Sequence, residues 1–336
     1  MLDKFGISPS GLKSKAKVRN GAVLLGKYFT CDDHFERPVR VVTHAHSDHI
    51  GGLRKSLASC DLVVMTELTR GFLRTLYGER FGSLDDVLTL EYGETLEFEG
   101  EKLTFFDAGH IPGSAQVQVE TQEGEKLLYT GDVKLPGAPV ISAELLVIEA
   151  TYGKPSHARF FQGEIEGIFA EFVRDRLREG SVNIKAFHGK IQEVLKILRR
   201  KGIETPAVMP RRVYEVSKLC KEAGNDLGVI HPLDGKQGRN VLSKRHIGLY
   251  HSRGKVAKDC PTEIRLSGWM FSRPITRTND GYIVGLSDHC DFNYLLEYVR
   301  ECDPDYVIVD GSQGGSAETF ASQIRKRIKK PAVSMR

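Results

Sequence analysis

Residues Thr43 to Gly52 read THAHSDHIGG, with three histidines and one aspartate inside six positions. Just upstream, Val39, Val41 and Val42 are β-branched and follow Pro38, so the segment is expected to be a buried strand running into a loop. Alternate side chains on extended backbone share a face, which lets His44 and His46 converge on one cation while Asp48 and His49 turn toward a second. A hard carboxylate beside borderline imidazoles suits zinc, with manganese as the alternative, and two such ions roughly 3.5 to 4 Å apart make a hydrolytic centre. Four ligand-type residues at this spacing are a far more specific signal than a solitary histidine.

Around this loop lies an ordinary globular composition. The 336 residues, 40% hydrophobic, could build one large or two medium domains. Met1 to Asn20 is polar and basic without an apolar core, and no run approaches about 18 apolar residues, so neither secretion nor membrane insertion is expected and the location reads as cytoplasmic. Cys31, Cys60, Cys220, Cys260, Cys290 and Cys302 form no C-x-x-C pair, which fits reduced thiols better than a disulfide framework. The net charge is only +4. It is unevenly spread, because Lys185 to Lys258 holds about 17 basic and about 6 acidic residues. Either a polyanion bound by that region or a solvated helical face accounts for the excess.

Apolar patterning places a strand pair over Ala22–Leu25 and Tyr28–Phe29, a short helix over Ile50–Leu57, a strand at Leu62–Met65 and a helix from Thr66 to Tyr77 with Thr66 as its cap. Strands are expected at Val87–Leu90, Thr95–Phe98, Leu103–Ala108, Ser114–Val119, Leu127–Tyr129 and Leu145–Ile148. Strands with interspersed helices indicate an α/β layered architecture. Further along, helices are expected over Phe160–Arg178, Gly189–Arg200, Val213–Ala223 and Ser316–Lys329, and strands at Ser181–Ala186 and Tyr306–Val309. Gly235 to Lys258 reads as a Gly- and Lys-rich loop with strand-like Ile247–Tyr250.

H-x-H-x-D-H followed by Gly-Gly resembles the signature loop of the metallo-β-lactamase superfamily, which implies more ligands downstream, in order. His110 in DAGHIPGSAQV (Asp107–Val117) follows a strand and precedes a tight Pro-Gly turn, making it the third ligand for the first metal. Asp132 in LLYTGDVK can bridge both cations with its two oxygens, and Gly131 before it allows close backbone approach. EATYGKP (Glu149–Pro155) narrows the resemblance to the β-CASP nucleases. So do GKIQEVL within Gly189–Arg200, SGWM within Ile264–Pro274 and GLSDHCDFNYLL (Gly285–Leu296). That resemblance implies an αββα metallo-β-lactamase sandwich interrupted by a compact β-CASP cap: residues 1–153 as the first part of the core, 154–284 as the cap and 285–336 as the return segment.

It also implies roles. His44, His46, Asp48, His49, His110 and Asp132 would hold two divalent ions, Zn2+ or Mn2+, with Asp48 counted among the catalytic residues. Glu149 would be an orienting or proton-handling carboxylate, and His289 would protonate the leaving alkoxide. In the family that this chain resembles, a histidine usually follows the last strand as a further ligand; this chain has Asp310 there, so either Asp310 substitutes or the second metal keeps only Asp48, His49 and Asp132. Lys190, Arg273 and Arg277 are candidates for nucleic-acid contact, together with Ser312 in a Gly-rich loop whose backbone N–H groups could cradle a terminal phosphate. Trp269, the only tryptophan, is expected in the core rather than stacked on a base.

The activity implied is a metal-dependent nucleic-acid phosphodiesterase, a 5′-to-3′ exonuclease favouring single-stranded DNA ends held between core and cap. The alternative is RNA processing of the mRNA 3′-end or ribonuclease J kind. DNA repair or RNA-processing proteins are the partners either reading would bring. A small-ester hydrolase would need neither the basic insertion nor Glu149 and His289, and a catalytically dead scaffold would have lost ligands.

Overall fold

The computed structural model describes residue 11 and residues 14–257, 260–312 and 314–336; Lys258, at the end of the basic stretch, and Gln313, in the Gly-rich loop, lie outside these described residues. The chain divides into two compact units, Met1–Ala158 with His289–Arg336, and Arg159–Asp288.

The first unit is built on two sheets. One has six strands in the order β1 (Ala16–Arg19), β2 (Ala22–Leu25), β3 (Phe29–Asp32), β4 (Val39–Val41), β5 (Leu62–Met65) and β6 (Leu88–Thr89). The other contains β7 (Thr95–Phe98), β8 (Glu101–Asp107), β9 (Ala115–Glu120), β10 (Lys126–Tyr129), β11 (Leu145–Ile148), β19 (Tyr306–Asp310) and β20 (Ala332–Met335), running β20-β19-β11-β10-β9-β8-β7. Strand period two sorts their side chains between two cores. Leu127, Tyr129, Leu145, Val147 and Ile308 face the first sheet and pack with Val23, Phe29, Val41 and Val64. The intervening Leu128, Leu146, Ile148, Val307 and Val309 face the other way. There they meet Phe292, Leu295 and Val299 of helix α7 (Phe292–Cys302) and Phe320 and Ile324 of α8 (Ala317–Arg327). Burial on both faces explains why these strands read as continuous apolar runs rather than alternating ones. Helices α1 (Leu53–Ser59) and α2 (Glu67–Tyr77) follow β4 and β5, and Thr66 caps α2 by accepting from the Thr69 N–H.

Strands β10, β11 and β19 are mutually parallel, as are β3, β4 and β5, so each set of carboxyl ends opens on one rim. In α/β sheets that rim is where functional loops collect.

The second unit carries a sheet ordered β14 (Ile230–Pro232), β13 (Ala207–Met209), β15 (Ile247–His251), β12 (Val182–Ala186), β16 (Thr262–Leu266), β18 (Gly281–Val284) and β17 (Ile275–Thr278). All neighbours are parallel except the β17–β18 pair. Helices α3 (Ile165–Glu179), α4 (Lys190–Arg200), α5 (Arg211–Glu222) and α6 (Lys236–Leu242) accompany it.

Three expectations are corrected here. The helix expected from Phe160 starts only at Ile165, because residues 160–164 form turns that bury Phe161 and leave Phe160 81% exposed. The expected loop after Gly235 contains α6: Gly238 is there because a side-chain carbon would lie 2.0 Å from the Pro232 carbonyl oxygen, so glycine signals close packing rather than a loop. Trp269 is 60% exposed instead of sitting in the core. All six cysteines are free thiols. Among the described residues no helix is long and apolar enough to cross a membrane.

Candidate metal centre

The loop after β4 folds back over the end of β3. Arg40, almost fully buried, donates to the carbonyl oxygens of Val41, Gly51 and His49 and to Ser56 Oγ, so one guanidinium supports both ends of the histidine segment. The Gly-Gly at its end is required by contact: a side-chain carbon on Gly51 would come 2.6 Å from the Asp33 carboxylate, and one on Gly52, whose φ is 62°, 2.4 Å from His34 Cβ. The Thr43 carbonyl accepts from the Ala115 N–H at 2.9 Å, joining this loop to β9 in the other sheet. The turn bearing His110 is anchored by Thr66 and Thr69, whose hydroxyls donate to the Gly113 carbonyl at 2.7 and 3.0 Å.

These anchors bring His44, His46, His110 and Asp132 together, with one ligand atom of each within 4.8 Å of all the others. His44 Nε2 and His110 Nε2 each lie 3.1 Å from His46 Nδ1 and 3.6 Å from Asp132 Oδ2. Ligands about 2.0 to 2.2 Å from a tetrahedral zinc stand roughly 3.3 to 3.6 Å apart, so the set has the dimensions of a divalent-metal site. The tautomer agrees: His44 Nδ1 is paired with Thr43 Oγ1 at 3.1 Å, and that hydroxyl donates to Asp32, leaving the Nε2 lone pair of His44 facing the group. Burial, then the neighbouring imidazoles, push the His44 pKa well below its usual range, favouring the neutral form that a metal ligand needs.

A second position is marked by His49. Its Nδ1 pairs with Asp32 Oδ2 at 2.7 Å; its Nε2 is buried without a hydrogen-bond partner, 3.3 Å from Asp132 Oδ2 and 4.0 Å from Asp48 Oδ2. An orphaned imidazole nitrogen facing two carboxylates is what a second cation would satisfy. Burial opposes charge on His49, but Asp132 and Asp32 outweigh it and raise its pKa well above normal. Burial likewise disfavours charge on Asp132, yet His49, His289 and His110 hold its carboxyl well below the usual range. Asp132 therefore lies beside both His49 and the three converging histidines as an anion, while the side chain of Asp48 is 58% exposed.

Next to Asp132 stands a separate pair. His289 Nδ1 lies 3.1 Å from both carboxylate oxygens of Glu149, and Glu149 Oε1 also accepts from the Val133 N–H at 2.9 Å. His289 Nε2 points toward Asp132, 3.9 Å from its Oδ2. Cys290 fixes this placement: its N–H donates to the Val133 carbonyl at 2.8 Å and its sulfur accepts from the Leu135 N–H at 3.1 Å.

A model of the metallo-β-lactamase superfamily matches residues 41–196. The RNase J-like protein of Methanocaldococcus jannaschii is 31% identical over 362 residues, covering 87% of this chain and 85% of that protein. The chain belongs to the metallo-β-lactamase superfamily and, within it, to the β-CASP nucleases. Divalent-metal binding comes with that superfamily. A protein in the lig 3′ region of Acidianus ambivalens, described as uncharacterized, is 39% identical over 137 residues, 40% of this chain and 98% of that protein. A probable DNA ligase of Opitutus terrae is 27% identical over 335 residues; the alignment takes in 93% of this chain but only 30% of the ligase.

Against the β-CASP pattern, two residues named from sequence sit differently. The Asp310 carboxylate lines a small hollow with Asp132 and Glu149, but is not one of the four converging ligands; it accepts from Ser312 N and Oγ at 2.8 and 2.6 Å, which also occupies the Ser312 hydroxyl. Lys190 is buried, with its ammonium 3.0 Å from Asp288, so its charge is spent inside the second unit. Arg273 and Arg277 are exposed there. The sequence reading missed Asp32, which accepts from Thr43 N, Thr43 Oγ1, His49 Nδ1 and Tyr129 Oη within 3.0 Å. Its local signal is an aspartate closing a strand, but only pairing of β3 with β4 brings it behind the histidines.

Proposed function

We propose that this β-CASP protein is a metal-dependent nuclease cleaving phosphodiester bonds, that it acts as a 5′-to-3′ exonuclease on single-stranded DNA, and that Arg159–Asp288 is its inserted cap. The observation that carries the reading is the placement of the Glu149–His289 pair directly beside Asp132 of the four-ligand group. Ester hydrolysis at a metal centre does not by itself need that pair; expulsion of a poor alkoxide leaving group does. His44, His46 and His110 would hold one cation, His49 and Asp48 the second, with Asp132 between them. Divalent ions there supply Lewis-acid polarisation of the phosphoryl group and acidify an attacking water. The protein's own part is proton handling: Glu149 orients His289 through Nδ1–H, and His289 Nε2–H donates to the departing 3′-oxygen.

DNA as substrate is supported by the SGWM segment and by the match of nearly the whole chain to part of a probable DNA ligase. RNA is the second reading, favoured by the RNase J-like relative. Digestion of end-labelled DNA and RNA oligonucleotides, with and without a 5′-phosphate, in zinc, manganese and magnesium, separates them. The DNA reading requires release of the 5′ label as a mononucleotide from single-stranded DNA; cleavage of RNA alone would replace it, and no cleavage of either polymer under any metal would end the nuclease reading.

A further inference from the structure

The second unit has an edge that the proposed chemistry does not use. Its strands β13, β15, β12, β16 and β18 run parallel, so their carboxyl ends share one rim. Just past those ends come aromatic side chains: His251 at the end of β15, Phe187 and His188 after β12, and Trp269 after β16. Since β15, β12 and β16 are adjacent, these residues leave neighbouring strands at the same rim of the sheet. Phe187 meets His251 edge-on at 5.4 Å between centroids, and the His188 ring lies 4.8 Å from that of His251, tilted by 31°. Phe160 joins the same rim through Phe161, whose ring lies against Gly285 just past β18, with Met270 close to the same glycine.

Among the described residues, Phe160, Phe187 and Trp269 are three of the five large apolar side chains that remain exposed, at 81%, 49% and 60%. Exposing three aromatic rings on one edge forgoes apolar burial, so the edge reads as a binding surface rather than packing left over. Its charge is basic: exposed Arg212 follows β13, Arg253 follows β15 and Arg273 follows β16. Exposed aromatic rings on one rim, flanked by guanidinium groups, match unpaired nucleobases on a phosphate backbone and do not match a duplex, whose bases are already stacked.

We propose that this rim is a stacking platform for single-stranded nucleic acid, with Trp269, Phe187 and Phe160 each taking a base face and Arg253 and Arg273 contacting phosphate. It rests on the nuclease reading for the identity of the polymer, and it assigns the single-strand preference to specific side chains. Trp269 is also the probe, as the sole tryptophan. The full-length protein, with chelator present so that nothing is cleaved, is titrated with a single-stranded oligonucleotide and with an abasic one of equal length. Stacking predicts saturable quenching of Trp269 emission by the first and little by the second. In anisotropy with labelled oligonucleotide, Trp269→Ala and Phe187→Ala each weaken binding on the order of 10-fold, while Trp269→Phe, which keeps a ring, largely restores it.

Equal affinity for abasic and normal strands, or unchanged affinity in both alanine variants, overturns the platform. The two readings fail separately: cleavage without base-dependent quenching removes the platform and leaves the nuclease, whereas quenching without cleavage under any metal does the reverse.

Discussion

At the scale of single residues, two side chains divide the work of the centre between chemistry and support. His289 stands outside the four-ligand group, with its ring 4.5 Å from that of His110 and its Nε2 3.9 Å from Asp132 Oδ2, and is oriented by Glu149. His289→Ala is therefore expected to leave metal content per chain unchanged while turnover falls about 10²- to 10⁴-fold, the usual share of general acid catalysis; metal analysis beside single-turnover rates checks both halves. Asp32 is the converse case. Its carboxylate accepts four hydrogen bonds and sets the tautomer of His49. Asp32→Asn keeps the shape but turns one acceptor into a donor. Metal affinity should fall about 10- to 100-fold, as for other partners behind a ligating histidine, and competition with a chromophoric chelator would measure it. Metal affinity equal to that of the parent protein would remove Asp32 from this role.

At the scale of elements, the loop between β4 and α1 is held by a single buried guanidinium. Arg40 reaches three carbonyls and one hydroxyl in a fork that a lysine cannot reproduce. Arg40→Lys leaves buried carbonyls short of donors at about 1 to 3 kcal/mol each. Both the denaturation midpoint and the zinc affinity should drop together; if stability drops while affinity holds, the loop does not depend on Arg40 for its shape. The elements themselves were largely legible from patterning. Thr95–Phe98 and Leu145–Ile148 appear with the limits the apolar spacing suggests, and α2 begins after Thr66 as its capping chemistry requires. Helix α6 was not legible, because Gly238 carries the same letter whether it loosens a loop or lets a helix backbone rest on Pro232.

At the scale of the whole molecule, the centre joins segments distant in sequence. Residues 44–49, 110, 132, 149 and 289 come from different strand ends, so a bound cation ties the two sheets of the first unit together. Ligand linkage predicts that zinc at about 100 times its dissociation constant adds roughly 2.7 kcal/mol to the stability of the stripped protein, a rise of several degrees in Tm. His46→Ala should abolish that rise, and a scan of stripped protein with and without zinc decides the point. What the sequence determined by itself was whatever is local: candidate ligands inside six positions of one loop, strands and helices from apolar spacing, and the caps that start them. The tertiary structure alone decided what Asp32 supports, why Lys190 is not available to a polymer and why Trp269 lies in solvent. Each of these depends on which strand lies beside which, or on what covers a side chain, and the free energy of burial and pairing is set by neighbours that may be anywhere along the chain.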